Sequence, residues 1–137
     1  MARVLAIDYG AKRSGIAVTD PLRMIASPHT TVPTHELMKY LKDYFQKEEV
    51  SEVVFGMPKQ LDGSDTNATS LVNAAINRFK KLFPNMLLFL HDERFTSKMA
   101  LDAMIVGGTS KKTRRNKGNI DKVSAAIILQ SYLEANS

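Results

Sequence analysis

Arg3-Val4-Leu5-Ala6-Ile7-Asp8-Tyr9-Gly10 and then Gly15-Ile16-Ala17-Val18-Thr19 open this 137-residue chain. Both are short apolar runs, one stopping at Asp8 and the other at Asp20-Pro21, with glycines on both sides of the connection. They read as two strands joined by a hairpin. A third β-leaning stretch, Met24 to Val32, is interrupted by Pro28, which has no N–H to give to a ladder and so suits an edge strand. Three consecutive strands decide the fold class, because the apolar period changes after them.

From Thr34 onward the apolar spacing turns helical. Thr34 can cap a helix with Leu37, Met38, Leu41, Tyr44 and Phe45 on one face. Val53-Val54-Phe55-Gly56 is a short buried strand, and a polar loop from Lys59 to Thr66 carries an Asp62-Gly63 turn signal. Leu71, Val72, Ala75, Ile76, Phe79, Leu82 and Phe83 mark a second helix, stopped by Pro84. Met86 to Leu90 is a fifth strand that runs into His91-Asp92-Glu93-Arg94. Thr96 or Ser97 can cap a third helix bearing Met99, Ala100, Ala103 and Met104, closed by Gly107-Gly108. The last helix, about Ile120 to Ala135, is expected to pack Val123, Ala126, Ile127, Leu129 and Leu133. The order βββ-α-β-α-β-α-α predicts an α/β domain spanning residues 1–137, with a mixed five-stranded sheet, partly parallel and flanked by helices.

Composition narrows the function classes. The chain is 44% apolar and 24% charged with few Gly and Pro, the profile of a globular domain. With no cysteine, disulfides, zinc ribbons, iron–sulfur clusters and thiol nucleophiles are excluded. No apolar run approaches the ~20 residues that span a bilayer, and the N-terminus meets Asp8 too soon for a signal-peptide core. The expected location is the cytoplasm, without membrane contact.

The net charge of +5 is local. Lys111, Lys112, Arg114, Arg115 and Lys117 lie between Gly107 and Ile120 with no acid among them, and the other basic residues balance the acids. Such a run suits a polyanionic partner, and equally a solvated loop. Among the acids, Asp8 ends strand one, Asp92 and Glu93 end strand five, and Asp121 opens the last helix beside the basic run. A central first strand would bring these ends together, and the carboxylates would repel unless a cation held them. Oxygen donors without His or Cys favour Mg²⁺ or Mn²⁺. Two such ions about 4 Å apart would clamp a phosphodiester for in-line hydrolysis. Each acid also has a plainer role: Asp8 a turn residue, Asp92 a cap, Glu93 a partner of Arg94 or Arg13, Asp121 a helix N-terminal acid favoured by the macrodipole.

The segment Asp8-Tyr9-Gly10-x-Lys12-Arg13-x-Gly15-Ile16-Ala17-Val18-x-Asp20-Pro21 resembles the opening of the YqgF (RuvX) family of pre-16S rRNA nucleases, relatives of the Holliday-junction resolvases. Gly56-Met57-Pro58 with Asp62-Gly63-Ser64, Asp92-Glu93-Arg94-Phe95-Thr96-Ser97 and Ile120-Asp121-Lys122-Val123-Ser124-Ala125-Ala126 appear in the family's order, so the likeness runs from residue 3 to about 133. It implies an RNase H-like fold and a metal-dependent nuclease site with Asp8, Glu93 and Asp121 as catalytic acids and metal ligands. Glu93 is preferred to Asp92 because neighbours on a strand face opposite ways. Lys12, Arg13, Arg94, Lys111, Lys112, Arg114, Arg115 and Lys117 become candidate phosphate contacts.

The expected activity is endonucleolytic cleavage of structured nucleic acid, foremost at the 5′ end of the small-subunit (16S) rRNA precursor. Two other readings stand beside it. One is a resolvase cutting four-way DNA as a dimer; the other is a nucleic-acid-binding transcription or ribosome-assembly factor without catalysis. The oligomeric state is open.

Overall fold

The computed structural model describes residues 2–57, 67–92 and 117–135, with the side chains of 67–68 and 117–120 excepted. Strands β1 (Arg3–Tyr9), β2 (Arg13–Thr19), β3 (Ala26–Pro33), β4 (Val50–Met57) and β5 (Leu87–Asp92) form one sheet in the order β3-β2-β1-β4-β5. The first three are antiparallel neighbours, whereas β4 pairs parallel with both β1 and β5. A mixed sheet with a central first strand is therefore what the chain builds. The expected helix between Thr96 and Gly108 lies outside the described residues.

Alternation along the strands sorts the side chains into two cores. Leu5 and Ile7, Ile16 and Val18, and Val53, Phe55 and Met57 face α1 (Leu37–Lys47) and α2 (Asn67–Leu82). There Phe79 is fully buried, with its ring 5.7 Å from that of Phe55. Val4, Ala6, Ala17 and Val54 face α3 (Lys117–Ala135) on the other side. Small residues on that face let α3 lie close across β2, β3 and β1. The helix buries Ala125, Ile128, Leu129 and Tyr132, an i, i+3, i+4, i+7 stripe. Of the expected stripe, Ala126 and Leu129 are buried, while Val123, Ile127 and Leu133 are only half-buried. In a helix so apolar all round, sequence spacing does not single out the buried face.

Three further expectations need correction. The third strand starts at Ala26, not Met24. The carboxylate of Asp20 accepts from the amides of Leu22, Met24 and Ile25, and this holds Met24 and Ile25 in the turn. Arg23, at φ 59°, completes that turn. Pro28 does sit on an edge strand, next to a bulge at the Ile16/Ala17 step that leaves His29 unpaired with β2. A proline and a bulge both discourage a second sheet from adding there.

Thr34 does not cap α1. It opens a short 3-10 turn, Thr34–Glu36, ahead of the helix, and neither segment has a side-chain cap. The last helix begins at Lys117 rather than Ile120, so Asp121 belongs to its second turn. The macrodipole account of Asp121 loses force accordingly, since that effect fades beyond the first turn.

Candidate functional site

Because β1, β4 and β5 run parallel, their carboxyl ends share one edge of the sheet, the edge where open α/β sheets place their ligands. β2 runs the other way and starts there, so the β1–β2 turn, Gly10 to Lys12, sits at the same edge. The beginning of α3 arrives there too.

Asp8 pairs with Gly15 across β1 and β2. Directly opposed residues of an antiparallel pair point to one face, and at Gly15 that direction leads to α3. A Cβ on Gly15 would run into the backbone carbonyl of Asp121. Glycine within a strand thus permits a close backbone approach, and it brings Asp121 to the face on which Asp8 lies. Arg13, two residues before Gly15 and so on that same face, donates from Nε to Asp121 Oδ2 at 3.2 Å. Both side chains of this ion pair are partly solvated, 40% and 26% exposed. Its net contribution to stability is therefore under about 1 kcal/mol, and its value lies in where it holds the two groups. Asp8 and Asp121 are half-buried and Lys12 is exposed.

Contrary to the expectation from sequence, the end of β5 is not adjacent to that of β1, because β4 lies between them. Ile7 is level with Phe55, and Phe55 with Leu90, so Asp8, Gly56 and His91 form the next row. Gly56 contributes no side chain to it. Asp92 pairs with Met57, a residue of the α1/α2 core, and is thereby assigned to the sheet face opposite Asp8. Glu93, Arg94, Lys111, Lys112, Arg114 and Arg115 lie outside the described residues. Lys117 is the first residue of α3, within the helix rather than the loop. Among the described residues no three His, Asp or Glu side chains group as a metal cluster. Among the described residues, Asp8 and Asp121 are the predicted acids brought to one face.

The underside of the turn is built by residues whose part in it no local sequence pattern shows. Thr34 Oγ1 donates to the carbonyl of Gly10 at 2.6 Å, and its amide donates to the carbonyl of Lys12 at 3.0 Å. Its single hydroxyl proton being used, the 2.9 Å contact with Ser14 Oγ has Ser14 as donor. Ser14 is completely buried. Consecutive residues of β2 thus serve both faces: Arg13 and Gly15 hold Asp121, while Ser14 holds Thr34. From sequence Gly15 reads only as the glycine that closes the hairpin connection, whereas it lies inside β2, paired with Asp8. A glycine within a strand is the kind of signal that marks a close backbone approach.

The far end of α3 is fixed independently. Tyr132 donates to Glu52 Oε2 at 2.7 Å, and burial together with that carboxylate pushes the phenol up to about 12. Glu52 also pairs with Arg23 at 3.0 Å, and Arg23 donates to Ser51 Oγ at 2.6 Å.

Comparison with known proteins gives the family and the fold. The RuvX family model, described as Holliday junction resolvase, matches residues 2–135. A protein of Flavobacterium johnsoniae named "Putative pre-16S rRNA nuclease" is 53% identical over 135 residues, covering 98% of each chain. Proteins of the same name from Christiangramia forsetii and Phocaeicola vulgatus are 52% and 47% identical, covering 97% and 98% of this chain and 98% and 97% of theirs. Among solved structures, T. thermophilus RuvC in complex with Holliday junction substrate superposes with a TM-score of 0.56 at 16% identity, covering 99% of this chain and 96% of that one. That likeness is one of fold, and it identifies the sheet and its helices as RNase H-like. The chain belongs to the RuvX family of nucleases.

Proposed function

We propose that residues 1–137 form one cytoplasmic, metal-dependent endonuclease domain that processes the 5′ end of the small-subunit rRNA precursor. Asp8, Glu93 and Asp121 are its catalytic acids. The observation that carries this reading is the convergence of Asp8 and Asp121 on one sheet face across Gly15, with Arg13 on Asp121 and Lys12 in the adjoining turn. The name shared by the closely similar relatives supports the substrate.

The donor chemistry fits Mg²⁺ or Mn²⁺. Asp8 and Asp121 offer oxygen only, and Asp121 already accepts one positive group, the Arg13 guanidinium. Asp8, Glu93 and Asp121 would hold the ions, which in two-metal sites supply Lewis-acid polarisation of the phosphate and an activated water. Lys12, Arg13, Arg94 and the basic run from Lys111 to Lys117 hold backbone phosphates, contacts that position a nucleic acid without reading its sequence. No side chain acts as nucleophile; the acids orient and the basic groups bind.

A second reading, cleavage of four-way DNA, is favoured by the family's description and by the fold shared with RuvC. One experiment separates the two: a 5′-extended small-subunit rRNA precursor and a four-way DNA junction incubated in parallel with Mg²⁺ or Mn²⁺, using Asp8→Asn and Asp121→Asn as controls. RNA cleavage lost in both variants is the expected result. Symmetric cutting of the junction would keep the site and change the substrate. Binding without cleavage in either metal would overturn the nuclease mechanism in favour of a non-catalytic role.

A further inference from the structure

We propose that Thr34, at the β3–α1 junction, is a positioning residue for nucleic-acid binding: it clasps the β1–β2 turn from below so that Lys12 and Arg13 are ordered before substrate arrives. The proposal rests on the reading of Lys12 and Arg13 as phosphate contacts.

The turn between Tyr9 and Arg13 is short and folded back on itself, since a Cβ on Gly10 would strike the carbonyl of Arg13. Its outer residues are exposed, and a hairpin end of this kind ordinarily frays. Here one residue from a different part of the chain gathers it. Thr34 Oγ–H reaches the Gly10 carbonyl, Thr34 N–H reaches the Lys12 carbonyl, and the fully buried Ser14 hydroxyl completes the set on Thr34 Oγ1. Residues 10, 12 and 14 are therefore tied to a single anchor.

Holding the Lys12 carbonyl fixes the peptide that starts Arg13, whose guanidinium meets Asp121 on the opposite sheet face. The clasp thus links the α1 side of the sheet to the acids on the α3 side. A threonine ahead of a helix would ordinarily spend its hydroxyl on that helix's amides. Here the helix goes without a side-chain cap and the hydroxyl serves the turn. Ordering the turn in the free protein removes an entropy cost that binding would otherwise bear.

The test compares Thr34→Val, which keeps the shape and loses the hydroxyl, with Thr34→Ser, which keeps the hydroxyl. Amide hydrogen exchange of the free protein is read across residues 10–14 and at position 34, and KM and kcat are read on the precursor RNA. In Thr34→Val these amides are expected to exchange about tenfold faster, as for one lost hydrogen bond. KM rises by about three- to tenfold, the loss of a binding contribution that leaves kcat within about twofold. Thr34→Ser restores both.

Unchanged exchange in Thr34→Val would overturn the clasp. A fall in kcat at constant KM, or failure of Thr34→Ser to rescue, would overturn its role in binding. Should Thr34→Val fail to fold, Ser14→Ala removes one donor to Thr34 and is expected to give the same signs at smaller size; wild-type values there overturn the proposal. Wild-type protein that neither binds nor cleaves RNA would instead sink the proposed function, with the exchange ratio still deciding the clasp.

Discussion

Gly15 of β2 lies beneath the backbone carbonyl of Asp121 in α3, in a gap that the Cβ of any other residue would fill. Asp8 is the cross-strand partner of the same glycine. The two acids are thus brought together by the absence of a side chain between them, and the distance from the sheet to α3 is set at this point. Gly15→Ala must push the helix away, because the colliding atoms are backbone and cannot rotate aside. Overpacking of this kind typically costs about 1–3 kcal/mol. The expected result is a lower melting temperature together with loss of cleavage out of proportion to it, checked by activity measured well below the transition. A Gly15→Ala enzyme of normal activity would mean that the position of Asp121 is not critical.

Arg13 and Asp121 separate the effects of charge and architecture. Their ion pair joins residues 108 apart in sequence, yet both groups are partly solvated. Arg13→Gln should therefore change stability by less than about 1 kcal/mol. RNA affinity should fall by about three- to tenfold, because one charged group no longer meets a phosphate. Denaturant melts and filter binding on the same preparation check both halves. A large stability loss would show the pair to be architectural.

The parts of this molecule that were legible in its sequence depend on local pattern. The β1–β2 hairpin shows in two short apolar runs with glycines between them, and the edge position of β3 shows in Pro28. Asp8 and Asp121 stand out because they fall at the ends of elements. Other features depend on contacts between distant residues. Thr34 looks like a cap to any local reading, and only the fold brings it under Gly10. Gly15 looks like a turn residue until α3 lies over it. The start of α3 was hidden by Gly118 and the neighbouring charges, which argue for loop, although the helix already begins at Lys117. The rank of β5 in the sheet follows from which strand β4 joins, and no local signal carries that.

His29 gives the fold a pH dependence with a definite sign. Its Nε2 lies 2.6 Å from the Tyr40 hydroxyl and its ring packs edge-on against Tyr44. Although His29 is exposed, partial desolvation lowers its pKa below the usual 6.5, with Arg3 adding to the effect and Glu48 opposing it. A histidine with a lowered pKa in the folded state binds protons less readily there than in the unfolded chain. Stability should accordingly be level above pH 6.5 and decline as pH falls below it, until the folded-state pKa is reached. His29→Gln should flatten the decline, as read from denaturant midpoints between about pH 5 and about 7.5. A decline unaltered in the variant would assign the effect to other groups.

The basic run from Lys111 to Lys117 should be visible as a salt slope. A protein that neutralises several phosphates releases counterions, so the logarithm of its affinity falls linearly with the logarithm of salt concentration. Replacing Lys111 and Lys112 by Gln should reduce that slope by about one for each phosphate left without its lysine, and lower affinity similarly for unrelated RNA sequences. The fold should be unaffected, because salt at these concentrations screens surface charge without touching the two apolar cores. The decisive comparison is binding of precursor RNA from about 50 to about 200 mM salt by wild type and variant. Equal slopes would make the run a solvated surface and leave Lys12, Arg13 and Arg94 as the groups that hold the backbone.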